Sequence, residues 1–335
     1  MRSGATRAIL DLWGNTFEPD TVDILRVFCD PGSTLIDIGA NIGLTSLAMS
    51  GLCGEGLVVA VEPVPATFRL LERNLSLLLH ANVKMVNKAL GDKDGSVAMY
   101  VNESNLATAF VVSEESSGNL DIPLSTLDAL VTDCGLASVD FIKIDVEGHE
   151  LDVLRGARNT LEKFRPNVLL EMNHWCLNVF RRTSLPEFHE ALLGIFPFVF
   201  AVEKGMYIDF TERGNVGDIF QRHVFENKYM HIVAGFEREE LVRRLDSLES
   251  ASSLQQPLSS PASAMSSPEI DYRLQLEAGV ELHQLEDHRT AAQAGQPAWL
   301  EESRLSGRLP RAQRDGRFFR SLSQPDFALP FTHPS

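Results

Sequence analysis

The most constraining feature of this sequence is a short apolar segment that runs into two closely spaced glycines. The segment reads TLIDIGANIG over residues 34–43, and an apolar helix-like run, LTSLAMS, follows it. Glycine is needed where a backbone bends sharply and contacts a ligand, because a side chain would block the approach. The N-terminus of the next helix offers free N–H groups to a polar ligand. The pattern therefore predicts a strand, a tight turn and a helix that together bind a nucleotide-like ligand.

Further strands alternate with helices up to about residue 172. Leu57–Val61 is a continuous apolar run of the kind that parallel sheets bury on both faces, and strands are also expected over 83–86, 139–144 and 168–170. Later strands are joined by tight turns, including a hairpin at Lys204-Gly205. We therefore predict an α/β fold with a doubly wound, mostly parallel sheet and an antiparallel edge hairpin. Ligands of such sheets bind beyond the carboxyl ends of the strands, where the strand order reverses.

Two carboxylates distinguish between the ligands that such a turn can hold. A dinucleotide site would read GxGxxG, whereas DIGANIG lacks the middle spacing and places Asp37 before the first glycine. A carboxylate there would repel a pyrophosphate but suits a cationic amino group, such as the methionine end of S-adenosylmethionine. Glu62 follows the next strand, where a carboxylate can accept both ribose hydroxyls. The pair favours S-adenosylmethionine over the nicotinamide dinucleotide of an NAD-linked oxidoreductase.

The wider set of motifs closely resembles one methyltransferase family over about residues 20–235. The motifs are DIGANIGLTSL, VVAVEPVPATFRLLERN, NVKMVNKALGDKDGSV, STLDAL and DFIKIDVEGHELDVLRGA. They resemble the FkbM family of S-adenosylmethionine-dependent methyltransferases. The resemblance implies a class I methyltransferase (Rossmann-like) fold and O-methylation of small molecules, often sugars or polyketide hydroxyls.

The resemblance also implies a set of residues around the methyl donor. The loop at the methionine end would comprise Asp37, Gly39, Asn41 and Gly43, with Glu62 as the ribose anchor. The tripeptide Asn87, Lys88 and Ala89 would lie by the adenine, and Asp145 near the sulfonium.

Polar residues that follow two neighbouring strands are the candidates for catalysis. An aliphatic hydroxyl benefits from a base that takes its proton as the new bond forms. The candidates are Asp145, Glu147, His149 and Glu171. A helix N-terminus lowers the pKa of a histidine such as His149 and favours its neutral form, although Glu147 and His149 could instead simply cap their helix. These carboxylates could hold a divalent ion, but we expect an ion-free pocket and predict no metal.

The composition excludes several partners. A net charge of −16 argues against a nucleic-acid surface, so we expect a small hydroxylated acceptor and no nucleic acid. No apolar run reaches the ~18 residues of a membrane span, and no membrane association is expected. Four widely spaced cysteines fit a reducing compartment, which predicts a cytoplasmic protein.

Composition also divides the chain into three parts. Residues 1–33 are predicted to be an N-terminal lead-in helix and edge segment, and residues 34–246 the methyltransferase domain. Residues 247–335 begin with a Ser/Pro/Gln-rich run that predicts a linker and a largely disordered tail. A tail segment that folds on a protein partner is the alternative.

The leading hypothesis is therefore an O-methyltransferase that acts on a saccharide, polyketide or other secondary metabolite by in-line methyl transfer. A catalytically silent S-adenosylmethionine-binding protein or partner subunit is the alternative from another class, and an NAD-linked oxidoreductase is the third. The acceptor-binding loops, expected at 102–120 and 174–184, cannot be interpreted from one sequence.

Overall fold

A computed structural model describes residues 18–76, 82–102, 105–111, 118 and 120–253. The helices are α1 (Pro19–Phe28), α2 (Leu44–Cys53), α3 (Pro65–Leu75), α4 (Leu127–Cys134), α5 (Glu150–Arg155), α6 (Arg158–Phe164), α7 (His174–Arg181), α8 (Leu185–Leu193), α9 (Arg213–Glu226) and α10 (Arg238–Ser253). The strands are β1 (Thr34–Ile38), β2 (Leu57–Val61), β3 (Val83–Val86), β4 (Ala89–Leu90), β5 (Gly95–Asn102), β6 (Asn105–Val111), β7 (Leu120–Ser125), β8 (Phe141–Ile144), β9 (Asn167–Glu171), β10 (Phe198–Glu203), β11 (Met206–Asp209) and β12 (His231–Gly235).

Eight strands form the central sheet in the order β3-β2-β1-β8-β9-β12-β10-β11. The first five strands of this order are parallel, β12 is antiparallel to both of its neighbours, and β11 pairs antiparallel with β10. The predicted α/β fold with an antiparallel edge hairpin is confirmed. The chain builds outward from β1 to β3 and then returns to add β8 beside β1. The strand order therefore reverses between β1 and β8, and their carboxyl ends border the expected ligand crevice.

Alternate residues of the central strands enter two different cores. Leu35, Val58 and Phe141 pack in one cluster with α1, α2 and α10. Their chain neighbours Ile36, Val59 and Ile142 pack in the other, with α4, α5, α6 and α8. Side chains alternate between the faces of a strand, so helices on both faces require strands that are apolar throughout. Helix α1, predicted as part of a lead-in, packs in the same core as β1.

Three segments differ from the sequence-based prediction. The interval 102–120, expected to be an irregular loop, contains β6, which pairs with β5 in a second sheet of order β4-β7-β5-β6. Residues 174–181 form a helix rather than a loop. The last helix continues to Ser253, so the predicted linker from 247 begins inside it, and Leu248 is buried. The rest of the predicted tail, and residues 1–17 of the predicted lead-in, lie outside the described residues.

No helix in the described part of the chain is both long enough and apolar enough to span a membrane.

Candidate active site

The turn after β1 is bound to the ends of both neighbouring strands. Gly39, Asn41 and Gly43 all have positive φ angles, of 81°, 50° and 90°. The N–H groups of Gly39 and Ala40 donate to the carbonyl oxygen of Val61 at 3.0 and 2.9 Å. A Cβ atom on Gly39 would lie 1.8 Å from the carbonyl oxygen of Asp145. The first glycine is therefore required by the end of β8 as well as by any ligand.

Asp37 lies beneath this turn and is completely buried. Its Oδ2 accepts hydrogen bonds from the hydroxyls of Thr45 and Ser46, both at 2.6 Å, in the first turn of α2. Its Oδ1 lies 3.7 Å from Nζ of Lys143, the residue opposite it on β8. The described contacts of Asp37 are therefore with the fold, and its predicted contact with a cationic amino group stays a prediction.

Glu62 is clamped by the backbone at both carboxylate oxygens. Oε2 accepts the N–H of Asn41 at 3.0 Å, and Oε1 accepts the N–H of Val64 at 2.8 Å. Burial raises the pKa of Glu62 to about 7, although these two N–H groups oppose the rise. Each oxygen keeps a lone pair because one N–H occupies only one of its two acceptor positions. The carboxylate is thus held rigidly with capacity to accept two more donors, as a ribose diol requires.

The predicted adenine tripeptide lies beside Glu62. The Asn87 side-chain amide donates to the carbonyl oxygens of Glu62 and Pro63 at 2.8 and 2.9 Å, so it supports the turn after β2. Lys88 is half-buried, and Ala89 is buried against Val64 in a small cluster. Contact of these three residues with an adenine stays a prediction.

The loop after β8 holds Glu147 against the first turn of α7. Glu147 and Gly148 have positive φ angles of 52° and 94°. The Cys176 thiol donates to Oε2 of Glu147 at 2.9 Å. Burial raises the pKa of Glu147 to about 7, and the nearby Asp145 carboxylate adds to the rise. The Cys176 contact was not predicted, because it joins residues 29 positions apart through the packing of a helix that the sequence analysis missed.

Asp145 directly follows β8 and Glu171 ends the neighbouring parallel strand β9, and both residues are half-buried. Burial alone would raise the pKa of Asp145, but the Lys143 ammonium, 3.0 Å from its Oδ2, lowers it. A hydrogen bond from Glu171 lowers it further. Burial raises the pKa of Glu171 well above its usual value, and the charge of Asp145 raises it more. The two neighbouring carboxyl groups therefore differ: the surroundings favour the ionised form of Asp145 and the protonated form of Glu171.

His149 and Asp152 follow Glu147 in the chain, and both are buried. His149 is buried, with Nδ1 3.0 Å from Oδ2 of Asp152, and Asp152 also pairs with Arg155 and Arg181. A Cβ atom on Gly91 would lie 3.1 Å from Nε2 of His149, so the ring packs against that glycine. A role for His149 as base stays a prediction. Within the described part of the chain, no three His, Cys, Asp or Glu side chains are grouped to hold a metal ion.

These features fit a ligand that carries both a ribose and positive charge. The turn has positive φ angles at Gly39, Asn41 and Gly43 and is exposed at Asn41, and Glu62 is aligned for two hydroxyl donors. Among the described residues, the carboxylates of Asp37 and Asp145 share the ammonium of Lys143, so a further cation beside Asp145 would be attracted. The sheet has the class I methyltransferase fold, and the features of the site fit S-adenosylmethionine.

Comparison with known proteins finds one matching family. Residues 37–195 match the family described as Methyltransferase FkbM domain, and that family uses S-adenosylmethionine. The chain is 28% identical to Methyltransferase 1 of Beauveria bassiana over 160 residues, which is 42% of this chain and 64% of the relative.

Two further relatives have names that specify a substrate or a position. Hexuronic acid methyltransferase AglP of Haloferax volcanii is 30% identical over 154 residues, covering 46% of this chain and 61% of AglP. The 2-O-methyltransferase NoeI of Sinorhizobium fredii is 26% identical over 158 residues, covering 42% of this chain and 64% of NoeI. The chain therefore spans just under two thirds of the length of each of these three relatives.

Proposed function

We propose that this protein transfers the methyl group of S-adenosylmethionine to a hydroxyl of a small molecule, either a saccharide or a secondary metabolite. The observation that carries the proposal is the position of two carboxylates on either side of one glycine turn. Glu62 is hydrogen-bonded to the turn at Asn41, and Asp145 packs its backbone against Gly39. The names of AglP and NoeI support a sugar hydroxyl as the acceptor.

In this proposal the turn and the two carboxylates bind and orient the donor. Glu62 accepts the ribose hydroxyls with its remaining lone pairs. Asp145 faces the cationic end, and Lys143 keeps it ionised. When bound, the donor supplies a methyl group on a positively charged sulfur. The sulfur is an excellent leaving group because it departs as a neutral thioether. Alignment of the acceptor oxygen with that methyl group can then contribute ~7–11 kcal/mol to the lowering of the barrier.

Glu147 is the best candidate for the base that accepts the hydroxyl proton. Its pKa of about 7 leaves it partly ionised near neutral pH, where a general base works best. The Cys176 thiol orients its carboxylate. Burial and the charge of Asp145 raise the pKa of Glu171, which disfavours its ionised form, and the ring of His149 packs against Asp152 and Gly91. We therefore favour Glu147 over both.

Calorimetry with S-adenosylhomocysteine tests the donor site. Glu62→Gln should weaken binding at least tenfold at pH 8, because an amide replaces the aligned carboxylate oxygens with one acceptor and one donor. Glu55→Gln, at an exposed glutamate beside β2, is the matched control and should bind like wild type. Equal affinities of wild type and Glu62→Gln would refute the donor site, and binding of NAD in its place would favour the oxidoreductase.

Turnover with radiolabelled donor and a panel of hydroxylated acceptors tests the reaction. Glu147→Gln should lower kcat by 10²-fold or more and leave S-adenosylhomocysteine affinity near that of wild type. A wild-type protein that binds the donor but methylates none of the acceptors would favour the silent donor-binding subunit.

We further propose that the reaction takes place in the cytoplasm. The support is that all four cysteines carry free thiols, as expected in a reducing compartment.

A further inference from the structure

A buried lysine lies at the point where the strand order reverses. Lys143 is in the middle of β8 and is only 4% exposed. It is opposite Asp37 on β1, so these two side chains extend from the same face of the sheet, and Asp145 follows directly after the end of β8. Its ammonium lies 3.0 Å from Oδ2 of Asp145 and 3.7 Å from Oδ1 of Asp37. One buried cation is therefore shared by two carboxylates.

Stability alone does not account for this arrangement. Burying an ammonium and two carboxylates costs desolvation energy, and apolar residues of similar size are often as stabilising or more so in such places. The residues before and after Lys143 are apolar and buried, as is usual in a central parallel strand. Lys143 is the charged residue in this apolar strand, and its ion pairs with Asp37 and Asp145 border the candidate active site.

The contacts of Lys143 connect the two halves of that site. Asp37 is hydrogen-bonded to Thr45 and Ser46 at the start of α2, directly after the glycine turn. The Asp145 N–H donates to Ile38 at 3.0 Å, just before that turn. Lys143 therefore bridges the side chain that anchors the glycine turn and the side chain that is taken to face the cationic end of the donor.

We propose that Lys143 is a positioning residue for methyl transfer: by bridging Asp37 and Asp145, its ammonium holds the Asp145 carboxylate ionised and in place beside the donor turn. Lys143 itself contacts neither donor nor acceptor in this inference. The inference rests on the proposed function, since Asp145 is taken to face the cationic end of the donor.

The surroundings of Asp145 indicate what removal of this ammonium would do. Glu18 at the start of α1, Glu147 and Glu150 in the loop after β8, and Glu171 on β9 all surround Asp145 and Lys143, and each is an acid. His231 on β12 is the other basic group near Asp145, and burial lowers its pKa, which favours its neutral form. Without Lys143, two desolvated carboxylates would adjoin each other among further acids. The pKa of Asp145 would then rise, because its neighbouring cation is gone and like charges disfavour the ionised form.

The test compares Lys143→Met, Lys143→Arg and the control Lys84→Met, which changes an exposed lysine on β3 of the same sheet. Calorimetry measures the affinity for S-adenosylmethionine and for S-adenosylhomocysteine, without acceptor, between pH 5 and 9. For Lys143→Met we expect S-adenosylmethionine affinity within threefold of wild type at pH 9 and at least tenfold weaker at pH 6. The loss for S-adenosylhomocysteine should be smaller, because its sulfur is uncharged.

Lys143→Arg keeps the charge and should recover most of the affinity at pH 6, and Lys84→Met should match wild type throughout. A loss that is the same at every pH and for both ligands would overturn the inference, because it would indicate a structural role only. Unchanged binding would overturn it as well. If Lys143→Met does not fold, Lys143→Gln replaces it under the same criteria. Failure of wild type to bind either ligand would instead overturn the proposed function.

Discussion

Substitution of Gly39 by alanine should disrupt the donor turn more severely than any loss of a ligand contact alone. The built Cβ atom would lie 1.8 Å from the carbonyl oxygen of Asp145 and 2.9 Å from its carbonyl carbon. Both contacts are shorter than the 3.0 Å below which real Cβ atoms are essentially not found. Both obstacles are backbone atoms of β8, so rotation of a side chain cannot relieve them. The turn and the end of β8 would have to separate by about 1 Å or more.

The expected magnitude has two parts. An alanine at a φ of 81° costs roughly 1–2 kcal/mol in backbone conformation. Overpacking of a close contact costs typically about 1–3 kcal/mol, and more where backbone must move. The free energy of unfolding of Gly39→Ala should therefore fall by about 2–5 kcal/mol. S-adenosylhomocysteine affinity should fall by at least tenfold, because the close contact between the turn and Asp145 positions both sides of the proposed donor site.

Gly32→Ala is the matched control because it carries the cost of a positive φ angle without the close contact. Gly32 has a nearly identical φ of 84°, and a Cβ atom there would have no heavy atom within 4 Å. It should cost only about 1–2 kcal/mol in urea unfolding and leave S-adenosylhomocysteine affinity at the wild-type value in calorimetry. If the two variants lose equal stability and bind the ligand equally well, the close approach of β8 to the turn does not constrain this site, and the reasoning is wrong.

Four further predictions concern ionisation and the tail. Since the pKa of Glu62 is raised to about 7 in the folded state, its carboxylate is lost as the pH falls through 7, so the affinity advantage of wild type over Glu62→Gln should shrink between pH 8 and 6 in calorimetry. The buried carboxylate costs free energy above pH 7 and none below about 4.5, so the stability of Glu62→Gln relative to wild type should rise with pH. His149 and two arginines lower the pKa of Asp152 to about 2, although burial acts in the opposite direction. Asp152→Asn should therefore lower the free energy of unfolding in urea by about 1.5–3 kcal/mol at pH 7. This difference from wild type should diminish as the pH falls from 4 towards 2. Removal of residues 254–335, which follow α10, should leave S-adenosylhomocysteine affinity within twofold, and a larger loss would show that the tail contributes to the donor site.

The elements around the donor turn were predicted well because their signals are local. The continuous apolar run of β2 indicates a strand that is buried on both faces. The glycines just after β1 indicate a tight turn. Helices α7, α9 and α10 were missed for a physical reason. Each carries a narrow apolar stripe among polar residues, such as Cys176 and Leu177 in α7, and their stability comes from packing on the sheet.

In the candidate site, the sequence predicted which residues stand at the strand ends but not all of their contacts. Glu62 and Asp145 were predicted from their positions at strand ends, and the structure brings both to the glycine turn. Asp37 was predicted as a ligand contact, but its described contacts are the hydroxyls of α2 and Lys143. A sequence pattern shows that a carboxylate stands before the turn, but not which of its oxygens faces outward.

What the sequence alone determined is the chemistry of the donor turn, because spacing within one strand–turn–helix unit decides which residues share a strand end. What only the tertiary structure decided is which strands adjoin. The last strand, β12, is inserted between β9 and β10, and β8 lies beside β1 although about 100 residues separate them. That second pairing places Lys143 between Asp37 and Asp145. Alternation within a strand predicts the face of each side chain, but the neighbour across the strand depends on the packing of the whole domain.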